Sequence, residues 1–163
     1  MTDLSEAENE NENETSFGDF DIDSEYIPDP LIPNGRYYGS VRGVKADPKA
    51  CCIVWEVVLS NNDLFASDGE TPVDGMVVWY RNWLPKPGDE NEFSKNGKTT
   101  KRQSKINMLG KFAKSMRLNM NSPKVISQAI QNGEWIGLDV VVDVTISEYK
   151  GDVKNEVSFM IAN

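Results

Sequence analysis

Five runs of alternating or β-branched residues, parted three and two by a helical stretch, restrict this chain more than any other feature of it. Over 36–45, Tyr37, Gly39, Val41 and Gly43 alternate with Arg36, Tyr38, Ser40 and Arg42. Successive side chains of a strand point to opposite faces, so a period of two predicts a strand with one buried side, and the glycines permit a sharp bend. CIVWEVVLS over 52–60 and GMVVWYRNWL over 75–84 predict the second and third strands. Over 138–149, Leu138, Val140, Val142, Val144 and Ile146 alternate with Asp139, Asp143, Thr145 and Ser147, and 153–162 supplies the fifth strand after a hairpin turn at Lys150-Gly151-Asp152. Before the fourth strand, Ile106, Leu109, Ala113, Met116 and Met120 recur at helical spacing over 104–120. A shorter helix follows Ser122-Pro123 and stops at Gly133. Three strands, a helix and two strands is the element order of an OB-type barrel, and here a helix pair fills the helical position. The expected fold is therefore mainly β: a five-stranded, partly open barrel with polar loops over 61–74 and 85–100.

Charge divides the chain in two. Residues 1–30 hold 11 acids and no base, so of the chain's 17 bases and 26 acids the remainder keeps 17 against 15, about +2. Residues 5–15 alternate Glu and Asn with almost no apolar side chains, too little to offset the entropy of ordering them, which predicts a disordered acidic tail over 1–30 and one barrel domain over 31–163. Over 17–32 aromatics appear among the acids, and Pro28, Pro30 and Pro33 favour an extended tether over a helix. No run approaches the roughly 18 apolar residues of a membrane span, and no basic region precedes an apolar one at the N-terminus. A cytoplasmic protein is expected, with the adjacent Cys51 and Cys52 as packing residues in a reducing compartment, since a vicinal disulfide is strained.

The chain has no histidine, which removes Ser-His and Cys-His nucleophiles and the commonest metal ligand. Asp19, Asp21 and Asp23 imitate the opening of a calcium loop, but Ser24 and Pro30 replace its glycine and glutamate. Gly97-Lys98-Thr99 imitates the end of a phosphate loop, but Glu92 stands where the first glycine belongs, which leaves a flexible loop. Asp139 and Asp143 share a strand face without flanking acids, a poor basis for an enzyme. No catalysis, metal or cofactor is expected.

The positive signal is basic and aromatic. Residues 81–117 carry ten bases against three acids, with Lys98, Lys101, Arg102 and Lys105 concentrated where the loop meets the helix. Such clusters bind phosphates through counterion release, whatever the base sequence, and the competing reading is an ordinary solvated helix face. Beside them Trp79, Arg81 and Trp83 are alternate residues of the third strand and share one face. Aromatics interleaved with arginine suit a single-stranded groove, because stacking tolerates any base. The competing reading puts Trp79 in the core opposite Val54 or Val57; Trp55, between Ile53 and Val57 at spacing two, is expected there. Tyr38 with Arg36 and Arg42, and Tyr149 beside Lys150, are further candidates of the same kind.

Asp19-Phe20-Asp21 ahead of Leu31-Ile32-Pro33-Asn34-Gly35-Arg36-Tyr37, with Gly137-Leu138-Asp139 leading to Glu148-Tyr149-Lys150-Gly151 and Asn155, resembles a phage-encoded family of OB-fold single-stranded DNA-binding proteins. The resemblance implies a non-catalytic, sequence-tolerant binder that coats exposed strands during replication or recombination in the host cytoplasm. Phage and bacterial single-strand binders commonly carry their acidic tail at the C-terminus, whereas here it is N-terminal. The tail is expected to serve solubility alone, to compete with DNA for the basic region, or to recruit replication or recombination proteins; oligomerisation is left open. The alternative is an acidic protein-binding module that mimics DNA and inhibits a nucleic-acid enzyme.

Overall fold

The five alternating runs become β1 (Gly35–Asp47), β2 (Cys52–Leu59), β3 (Val77–Trp83), β4 (Asp139–Tyr149) and β5 (Asp152–Ala162) in a computed structural model that describes residues 17–163. They form one open antiparallel sheet in the order β3-β2-β1-β4-β5. The central strand β1 divides its pairing, with Gly35 to Ser40 on β4 and Gly39 to Asp47 on β2. At the overlap a Cβ on Gly39 would stand 2.8 Å from the Val58 carbonyl oxygen and 2.8 Å from Val57 Cγ1, so only glycine admits this approach. A bulge between Val41 and Gly43 bends the strand further. The two edge strands, β3 and β5, approach one another to Cα separations of 8 Å or less.

The inner face carries Ile53, Trp55, Val57 and Leu59 of β2 with Val78, Val140, Val142, Val144 and Met160, all buried. Helices α2 (Lys101–Met116) and α3 (Pro123–Gln131) cover it with Phe112, Met116, Ile126 and Ala129. Trp55 is fully enclosed: it stacks on Trp135 at 5.2 Å between centroids, meets Phe112 at 5.4 Å, and donates its Nε1–H to Asn82 Oδ1 at 2.6 Å. Helix α2 begins three residues earlier than its apolar spacing predicts, because the Thr100 hydroxyl accepts the Gln103 N–H and caps it. It ends at Met116, since Arg117 turns to φ 59°, so Met120 packs in the core from outside the helix.

Both loops expected to be merely polar are tied down. In 61–74, Val73 and Ala66 are buried, and Asn61 exchanges side-chain hydrogen bonds with the backbone N–H and C=O of Tyr38. In 85–100, the Asp89 side chain is almost wholly enclosed, and Asn96 builds a turn by accepting the N–H groups of Lys98 and Thr99.

The tail expectation over 5–15 lies outside the described residues. Residues 17–29 are exposed. Within them a single helical turn, α1 (Ile22–Glu25), corrects the extended reading: Asp21 caps it by accepting the Asp23 N–H, and Pro28 falls beyond it. Attachment begins at Leu31, which pairs with Ser67, and at Ile32, whose N–H and C=O are both held by the Asn155 amide. No helix among the described residues is long and apolar enough to cross a membrane.

Candidate functional site

Alternation along β3 sends Val78, Tyr80 and Asn82 inward and Trp79, Arg81 and Trp83 outward. Trp79 is 50% exposed and Trp83 51%, which sets aside the core reading of Trp79. Register places Trp79 beside Glu56, Arg81 beside Val54 and Trp83 beside Cys52 on β2. These pairs in turn lie beside Gly43, Lys45 and Asp47 of β1. The outer face thus holds an open groove of about 440 Å³, lined by Lys45, Asp47, Val54, Glu56, Trp79 and Arg81. Its charges nearly balance, with Arg42 bonded to Glu56 at 2.7 Å and holding that carboxyl below the usual carboxylate range.

A second groove, about 400 Å³, lies on the other side of Arg81, in the seam between β3 and β5 under α2. Arg81, Trp83, Lys105, Met108, Lys111 and Phe159 line it, so Arg81 belongs to both. Met108 is 63% exposed and Phe159 43%. Of the sequence candidates, Trp79 and Arg81 line the first groove, and Arg81, Trp83 and Lys105 line the second. Neither groove is lined by Arg36, Tyr38, Arg42, Lys98, Lys101, Arg102, Tyr149 or Lys150.

The bases divide by whether a carboxylate already holds them. Lys105 bonds Asp89 at 2.7 Å, and Asp89 also accepts the Lys86 N–H. The Lys105 ammonium, with that N–H, holds the Asp89 carboxyl below its ordinary value. Lys101 bonds Glu92 at 2.6 Å, which lowers the glutamate and raises the lysine. Arg36 lies 3.5 Å from Asp143. Among the described residues Arg81, Lys98, Arg102, Lys111 and Lys150 have no carboxylate within 4.0 Å. Lys98 sits on the 94–99 turn and Arg102 on the first turn of α2. Tyr38, 58% exposed, lies on the outer face of β1 opposite Val141, with β2 between it and β3. Tyr149 ends β4 beneath Lys150, whose ammonium stands 5.4 Å from the ring centroid. Lys150 and Gly151 both take positive φ, as the hairpin turn requires.

Sequence reasoning did not single out Lys111, Met108 or Phe159. Phe159 had a signal: it precedes Met160 in a strand, and two large apolar neighbours cannot both point inward. Met108 stands off the 106-109-113 series and so off the buried stripe. Cys51 and Cys52 are free thiols, and the described residues hold no cluster of three His, Cys, Asp or Glu side chains placed to bind a metal. No protein-family model matches this chain, and no curated protein matches it either.

Proposed function

We propose that the chain is a non-catalytic, sequence-tolerant single-stranded DNA-binding protein built on an OB-type barrel, acting in phage replication or recombination. The barrel reading is supported by a central β1 shared between β2 and β4 and by edge strands β3 and β5 that draw together. One observation carries the ligand reading: Trp79 and Trp83 project half-exposed from one face of β3, with Arg81 between them free of any carboxylate partner among the described residues. A tryptophan left outside a core is costly to keep wet, and bases stacked on it remove that apolar surface from water. Stacking reads the π-face that every base has, so the site is tolerant of sequence.

Anisotropy titrations with oligo-dT, duplex DNA and oligo-U at two salt concentrations test this. Oligo-dT is expected to bind more tightly than duplex, with affinity falling as salt rises. Equal failure of all three ligands overturns the reading.

A second reading is favoured by the segment 17–29, where Phe17, Phe20, Ile22, Tyr26 and Ile27 are each more than 60% exposed among five acids. An acidic segment showing that much apolar surface suits a protein partner. Binding of a nucleic-acid enzyme without oligonucleotide affinity would favour it as the main function.

A further inference from the structure

The two grooves that meet at Arg81 differ in charge, and the difference indicates which way a strand leaves the tryptophan stripe. Toward β1, Lys45 and Arg81 share the groove with Asp47 and Glu56. Toward β5, Arg81, Lys105 and Lys111 line the seam with no acid, and Lys105 alone is already paired, through Asp89. That seam also presents a large apolar surface, Trp83, Met108 and Phe159, each more than 40% exposed. We infer that the seam between β3 and β5, roofed by α2, is a second nucleotide subsite, where a base stacks against Phe159 and Trp83 and its flanking phosphates meet Arg81 and Lys111. This rests on the single-stranded DNA reading and extends it, because that reading needs only the outward face of β3. A polyanion following the stripe is drawn to the side where its phosphates meet cations without carboxylates. The path therefore runs over the sheet edge toward α2 and away from the β1–β2 turn.

The test compares short and long oligo-dT, about 5 and about 12 nucleotides, within the range of about 4 to 16 that one OB barrel covers. In the parent the longer oligonucleotide is expected to gain affinity beyond the statistical effect of length. The double variant Phe159→Ala with Lys111→Ala should keep the parent's affinity for the short one and lose about tenfold for the long one, as one lost stack implies. Its salt slope with the long oligonucleotide should flatten by about 0.7 for the lost phosphate contact. Lys45→Ala, on the opposite groove, should leave the gain in place. If the parent binds both and the double variant keeps the full gain, the subsite is overturned while the DNA reading stands. If the parent binds neither, both fall. Photocrosslinking of iodouracil-substituted oligo-dT to the unmutated protein gives an answer independent of variant folding. Crosslinks to Phe159 support the seam, and crosslinks confined to Trp79, Trp83 and residues 45–54 contradict it.

Discussion

Trp55 and Trp79 sit on adjacent strands, Trp55 opposite Tyr80 and Trp79 opposite Glu56, yet they face contrary sides of the sheet. Trp55 is satisfied by the fold: two aromatic contacts cover its ring and Asn82 accepts its N–H. Trp79, like Trp83, stacks on no other ring among the described residues and is half in water. The same side chain is therefore used twice, once to hold the sheet to its helices and once with its surface left open. The contrast teaches that parity along each strand, and not residue type, separates the structural aromatics from the candidate ligand-binding ones.

The contrast breaks first on stability. Trp55→Ala empties an enclosed site and is expected to cost about 3 to 5 kcal/mol, whereas Trp79→Ala, at the surface, should cost well under that. Urea unfolding of the two variants measures it, and equal losses would mean that Trp79 is buried in solution. Next in size is Gly39→Ala, where the added methyl meets the Val58 carbonyl and Val57; about 1 to 3 kcal/mol is expected from this overpacking. Gly110→Ala, on α2 with nothing within 4 Å of the new methyl, should instead stabilise by up to about 1 kcal/mol. The same unfolding curves should show the two signs.

A pH series sharpens the account of the basic loop. Because Lys105 and the Lys86 N–H lower the folded-state pKa of Asp89, this carboxylate contributes stability that is complete above its unfolded value of about 3.9. That contribution is lost as pH falls through the lower folded value. Melts from pH 7 to 3 should therefore show a steeper loss for the parent than for Asp89→Asn, and parallel curves would count against the ion pair. The smallest effect separates paired from unpaired bases in binding. Arg102→Ala, if the arginine meets a phosphate, flattens the salt slope on oligo-dT by about 0.7, while Lys101→Ala, already held by Glu92, changes it less.

The strands were legible because alternation is local: residues two apart report the same face, and Trp55 could be placed by Ile53 and Val57. Trp79 could not be placed that way, since its surroundings depend on pairing with Glu56, more than twenty residues earlier. Trp135 was hidden for a similar reason. It lies between Gly133 and Gly137, outside any periodic run, and its partner Trp55 belongs to another part of the chain. Lys101 and Lys105 looked like free phosphate ligands because their carboxylates, Glu92 and Asp89, are 9 and 16 residues away and meet them only when the 85–100 loop folds onto α2. Charge runs reveal where bases lie along a chain, and tertiary structure decides which of them are already neutralised.

We propose that the outward aromatics of β3 form a stacking platform for single-stranded DNA. The most direct measurement of this is an anisotropy titration of labelled oligo-dT with the parent and with Trp79→Ala/Trp83→Ala, after thermal unfolding has shown that the variant is folded. The parent should bind, and the variant should lose about 1 to 3 kcal/mol for each base that no longer stacks, with its salt slope nearly unchanged. A folded double variant that binds oligo-dT as tightly as the parent would contradict the claim.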